Sequence, residues 1–219
     1  MSPRGSHARR ASGRGWAAPV LGVLAVAVLS LGVAGIVHDA RPAGAAGLTD
    51  LRGNQVRLEP EVGAALPAAS DATATDDRFV VASVGLDVPL GELSVVDGNV
   101  TPPDFVSAFR IRDEGVPLVA AETGTVFVVM HSLRGGGVAP GNLLIDVDTG
   151  SAEVAVGATI QVGARTYTVQ GWDTVDKSRL AATSDVWAAV PGRLVVITCL
   201  QRVDGGPSVE NMVITATLT

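Results

Sequence analysis

Short apolar runs separated by turn-forming residues dominate the chain. Phe79-Val80-Val81-Ala82-Ser83-Val84 before Gly85, Thr125 to Met130, Asn142 to Val147 before Asp148-Thr149-Gly150, Leu194-Val195-Val196-Ile197 after Pro191-Gly192, and Met212 to Leu218 each have the length and branched content of a strand. Thr159-Ile160-Gln161-Val162 and Thr166-Tyr167-Thr168-Val169 alternate and flank Gly163-Ala164-Arg165, which predicts a hairpin with a three-residue loop. Val88-Pro89-Leu90 reads as a short edge strand. Val100-Thr101-Pro102-Pro103-Asp104 reads as a turn, with Asp104 capping a short helix over Phe105 to Phe109, and Asp185 to Ala189 as a helical turn. Strands at roughly 8–12-residue spacing, with no long segment of helical period between 78 and 219, predict an all-β domain that is a sandwich or a closed barrel.

The pattern before residue 78 is different. Residues 1–15 carry Arg4, Arg9, Arg10 and Arg14 and no acid, and 16–37 contain no charge. A run of about twenty apolar residues spans a bilayer as a helix, whereas the apolar part of a cleaved signal is usually about 7–15 long. The reading is therefore a basic cytoplasmic tail over 1–15 and a transmembrane anchor over 16–37. The arginines before the run place the N-terminus inside and the rest of the chain outside. A cleaved signal is the alternative, with Ala43-Gly44-Ala45 as the small-residue site. Residues 38–77, rich in Ala, Gly, Pro, Asp and Thr, read as a low-structure stalk.

Charge narrows the partners. The whole chain has a net charge of −6. Without the basic tail, 12 basic residues face 22 acidic ones, a net of −10. An acidic exported domain lacks the basic patch that nucleic acid requires. One cysteine and one histidine in the folded part offer two metal ligands where a closed zinc site needs four. Asp146 and Asp148, on alternate strand positions beside a turn, read as solvated, so neither a metal nor a cofactor is expected.

The candidate chemistry lies at two strand ends. Cys199, the only cysteine, ends the apolar run from Leu194. Outside a membrane the common use of cysteine is a disulfide, and Cys199 has no second cysteine to pair with within the chain. His131 ends the run from Val126 and precedes a loop with four glycines before Asn142. A thiol nucleophile needs a partner that moves its proton, and histidine is the usual one. A small buried hydrophobe and a solvated loop histidine are the structural alternatives.

Val195-Val196-Ile197-Thr198-Cys199 resembles the Thr-Leu-x-Thr-Cys strand of the sortases, cysteine transpeptidases of the Gram-positive cell surface. His131 with its glycine-rich loop resembles their histidine strand. Val100-Thr101-Pro102-Pro103 and Pro140-Gly141-Asn142-Leu143 look like actinobacterial sortases of the class E or F kind. The resemblance covers about 78–219 and keeps the order of His before Cys. It implies a closed β-barrel of the sortase type with short helices, and an enzyme, formally of the hydrolase class, with Cys199 as nucleophile and His131 as its acid and base. The implied partners are a peptide with a Leu-Pro-x-Thr-Gly-like sorting signal, a cell-wall precursor or protein amine as acceptor, and the membrane. Two positions depart from the family. Val129-Met130 stands where Thr-Gly usually precedes the histidine, and Ser208 to Ile214 contains no arginine where the family has one. Arg202 and Asn211 compete for that arginine's role in holding substrate and oxyanion, and Arg134 is a third candidate. The rival class is a catalytically impaired sortase-like module that binds peptide or wall polymer.

Overall fold

The computed structural model describes residues 48–56 and 69–219. The expected tail and anchor, 1–15 and 16–37, lie outside the described residues. Among the described residues no helix is long and apolar enough to cross a membrane.

Eleven strands form among the described residues: β1 (Ala72–Thr73), β2 (Arg78–Val81), β3 (Leu86–Leu93), β4 (Ala108–Ile111), β5 (Thr125–Val129), β6 (Ile145–Asp146), β7 (Ser151–Ala152), β8 (Thr159–Val162), β9 (Arg165–Asp176), β10 (Arg193–Leu200) and β11 (Glu210–Leu218). The ladder runs β3-β2-β8-β9-β11-β10-β5-β4, and β4 pairs back onto β3. The sheet therefore closes into an eight-stranded barrel, with β1 added at β3 and β6–β7 as a separate hairpin. The expected all-β closed barrel is what forms, and closure leaves its eight strands without long free edges. β5 runs parallel to β10 and β3 parallel to β4; the other pairs are antiparallel.

Period-two alternation sorts the side chains into two layers. Val126, Val128, Met130, Leu194, Val196, Met212 and Ile214 fill the barrel interior. Phe127, Val129, Val195, Ile197, Cys199 and Val213 face outward. That outer layer is covered by Val100, by Leu180 of α1 (Lys177–Leu180) and by Val186 of α2 (Ser184–Trp187). Both helices belong to the β9–β10 connection.

Several local expectations need correction. Asp104 caps no helix over Phe105 to Phe109; its Oδ1 accepts from the backbone N–H of Val106 and Ser107 in a tight turn, and β4 starts at Ala108. Asn142 to Val147 is not one strand. Pro140–Leu144 forms a 3-10 helix, because the Asn142 amide bonds the backbone of Leu133 and Ala139 instead of leaving its chain to a ladder. Val88-Pro89-Leu90 lies within a full strand, with Pro89 at the point where β3 passes from β2 to β4. The stalk expected over 38–77 is packed in two places. β1 pairs with β3, and Asp50 holds a turn whose flanking Leu48 and Val56 pack on Phe105, Leu133 and Ala139.

Candidate active site

Register builds the site. β5 and β10 lie side by side and parallel, about 4.8 Å apart as neighbouring strands are, with Val129 opposite Ile197. Two residues further on come His131, just past the end of β5, and Cys199, within β10, so both fall on the outward face. The ladder persists past the end of β5, where the Met130 N–H donates to the Ile197 carbonyl at 3.2 Å. On the other side of Cys199, Asn211 of β11 is its direct cross-strand partner, and Val175 of β9 is opposite Asn211. Lys177 follows Val175 by two residues and continues the same face. One row across four strands thus carries a histidine, a cysteine and an amide, with a lysine just beyond.

The two strand ends are tied together. The Ser132 hydroxyl donates to the Cys199 carbonyl at 2.6 Å, and Gln201 Nε2 donates to the Ser132 Oγ at 2.7 Å. The His131 carbonyl accepts from the Gly141 N–H at 2.8 Å. A Cβ at Gly141 would stand 2.0 Å from Thr198 Oγ1 and 2.7 Å from the His131 oxygen, so the Pro140-Gly141 turn fits only without a side chain.

The imidazole is fixed as well. Its Nε2 lies 2.9 Å from the Pro102 carbonyl, and its ring packs tilted on Phe105 with centroids 4.6 Å apart. A carbonyl only accepts, so Nε2 carries the proton and Nδ1 keeps the basic lone pair. His131 is 2% exposed. Burial pushes its pKa down to about 4, with the nearby Lys177 charge adding to that, while the Pro102 bond and Asp104 pull the other way. The histidine is therefore neutral at physiological pH.

Cys199 is fully buried, and burial pushes its thiol up from the ordinary value. The Lys177 ammonium opposes this by its charge and by a hydrogen bond to the sulfur. Lys177 Nζ is shielded from water and meets no oxygen or nitrogen acceptor among the described residues. The Asn211 side chain is fully buried too, with both amide atoms unpartnered among the described residues. A thiol, a neutral imidazole and two sets of donors thus come together at one place.

The cover over this row is pinned by Arg193. Its guanidinium donates to the carbonyls of Asp185 and Val186, each at 2.8 Å, to that of Ala188, and to Thr125 Oγ1. Trp187 stacks at 5.0 Å on Phe127 beneath it.

The other sequence candidates are elsewhere. Arg202 forms an exposed ion pair with Asp204 at 2.5 Å and lines an open cleft of about 420 Å³ with Asp148, Leu200 and Glu210. It is not brought to the thiol. Arg134 points at the same turn, its guanidinium 3.5 Å from the Gly205 carbonyl. Of the arginine's competing stand-ins, only Asn211 shares the face of Cys199. Lys177 was not predicted from the sequence. The one available signal is that it is the chain's only lysine, and its face becomes readable only once β9 is known to run to Asp176. Among the described residues no group of three or more His, Cys, Asp or Glu is placed to hold a metal ion.

No family model matches the sequence, and no curated protein matches it. Solved structures similar to it include sortase C-1 of Streptococcus pneumoniae (12% identity, TM-score 0.47, covering 65% of this chain and 66% of that one). Sortase A of Listeria monocytogenes is similar at 18% identity and TM-score 0.47, covering 65% of this chain and 86% of that one. Sortase C-1 of Actinomyces oris is similar at 15% identity and TM-score 0.46, covering 65% and 71%.

Proposed function

We propose that the chain is a sortase-type cysteine transpeptidase. The observation that carries this reading is the placing of His131 and Cys199 on one face at the ends of adjacent parallel strands, in a sequence whose Ile197-Thr198-Cys199 and His131 segments resemble that family. The substrate is the extended backbone of an exported protein carrying a Leu-Pro-x-Thr-Gly-like sorting signal. The Cys199 sulfur attacks the scissile carbonyl while its proton passes to His131. Collapse of the tetrahedral intermediate breaks the C–N bond, and His131 protonates the departing amine, leaving a thioester on Cys199. A cell-wall or protein amine then attacks the thioester and gives its proton to His131, which returns it to the sulfur as the C–S bond breaks. Water in the amine's place gives hydrolysis. In this reading residues 16–37 anchor the chain in the cell membrane, with the N-terminus cytoplasmic and the barrel outside, where substrate and acceptor both pass. The actinobacterial class E or F assignment belongs to the same proposal.

A second reading, a sortase-like module that binds peptide or wall polymer without turnover, is favoured by one observation: thiol and imidazole are both buried. Intact mass spectrometry of the full chain in detergent, mixed with Leu-Pro-x-Thr-Gly peptides and Ala-Pro-substituted variants, separates the two. An acyl adduct that disappears in Cys199→Ala supports the transpeptidase. Peptide binding without any adduct supports the module.

A further inference from the structure

The acyl-transfer reading leaves one role unfilled, because the family's arginine has no counterpart between Ser208 and Ile214. Arg202 is engaged with Asp204 on the exposed turn. A developing oxyanion next to Cys199 needs donors already in place, since reorienting them during reaction would forfeit most of their effect. Two sets of donors without an oxygen or nitrogen acceptor lie on the thiol's face: the Asn211 amide, directly across the ladder, and the Lys177 ammonium, beyond Val175. An ammonium held away from water without a carboxylate is costly and is rarely retained for packing alone. Lys177 is held there by its backbone, since its N–H donates to the Val209 carbonyl at 2.9 Å, and by the cap that Asp176 gives α1. The charged or titratable groups that act on this centre are Lys177 on Cys199 and His131, and Asp104 on His131.

We propose that Lys177 is the cation of this acyl-transfer centre: its ammonium, with the Asn211 amide, binds the oxyanion formed when Cys199 attacks the substrate carbonyl. The inference rests on the transpeptidase reading above. As the S–C bond forms, the carbonyl π electrons move to oxygen and are met by the Lys177 and Asn211 N–H groups. The thiol proton goes to His131. When the C–N bond breaks, those electrons return to the carbonyl and the proton leaves with the amine. The proton moves only between Cys199, His131 and the departing amine. The division of labour is clear: Lys177 holds the positive charge, and the neutral His131 moves the proton.

The test uses the full chain in detergent as wild type, Lys177→Met and Lys177→Arg, with thermal melts confirming that each folds. In the first measurement, iodoacetamide alkylation of Cys199 is followed against pH. Loss of the ammonium should move the thiol titration upward and slow alkylation at neutral pH by about tenfold, the effect of one pKa unit, with Arg restoring it. In the second, single-turnover acylation by a Leu-Pro-x-Thr-Gly peptide should fall about 10²–10³-fold in the Met variant, as for removal of an oxyanion donor, and recover in Arg. An alkylation profile that Lys177→Met leaves unchanged overturns the inference, as does wild-type acylation in that variant. A wild type that never acylates overturns the transpeptidase reading instead, and the alkylation profile still decides whether Lys177 acts on the thiol.

Discussion

The Ser132 hydroxyl donates to the carbonyl of Cys199 across 2.6 Å, so the residue after the histidine grips the backbone of the cysteine. Gln201 completes the clasp by donating to the same hydroxyl. Replacing Ser132 with Ala leaves a buried carbonyl and a buried amide without that partner. We expect a loss of about 1–2 kcal/mol in denaturant unfolding. Single-turnover acylation should fall further than stability does, because the clasp sets where the two strand ends meet.

Gly141→Ala should be worse than its size implies. The added methyl would lie 2.0 Å from Thr198 Oγ1, and the other near atom is the His131 carbonyl oxygen, which belongs to the backbone and yields little. An overpacked site of this kind costs about 1–3 kcal/mol. The cost should appear as a lower unfolding midpoint at unchanged slope, together with reduced acylation as the histidine backbone shifts.

Stability should depend on pH through His131. Its folded pKa of about 4 lies below the ordinary 6.5, so between those values the unfolded chain binds a proton that the folded chain refuses. The stability present above pH 6.5 should therefore decline as pH falls toward 4, by about 3 kcal/mol. His131→Gln should flatten that slope in urea titrations. Cys199 acts at the other end. Its thiol is raised by burial, so the folded state should lose stability as pH climbs above 9, and Cys199→Ala should remove that loss.

Arg193 pins the segment that covers the thiol. Arg193→Met removes its donors to Asp185, Val186 and Ala188 while keeping an apolar stem against the sheet. The cover should open more often. Labelling of Cys199 by a disulfide reagent in the native state should quicken by about tenfold, which is what 1.4 kcal/mol of easier opening gives.

The barrel and the thiol–imidazole pair are largely legible in the sequence, because each rests on a strong local pattern. β5 and β10 are continuous branched runs, and each ends at a single residue of distinctive chemistry. β8 and the first half of β9 show clean alternation, although their turn is two residues, Gly163-Ala164, and not three. What fails depends on partners distant in sequence. Gln170 to Asp176 has little apolar character, and it is a strand because β11 pairs with it across a bulge between Thr215 and Ala216. Without that extension Lys177 has no assignable face, and so the cation beside the thiol stays hidden. Arg202 is nearer to Cys199 in sequence, but it lies on an exposed turn and is paired there with Asp204. Asn142 misleads in the opposite direction: it sits in an apolar run, yet its own amide draws the backbone out of the strand.

The shielding of the Lys177 amine has a consequence for a chain that transfers acyl groups as proposed. All other positive side chains here are arginines, and a guanidinium stays protonated and does not accept acyl groups at ordinary pH. The single side-chain amine is screened from solvent. An enzyme that hands acyl groups to amines would thus present, over its described residues, a surface with nothing to receive them. On the proposed reading, neighbouring copies can then work side by side without becoming joined to one another.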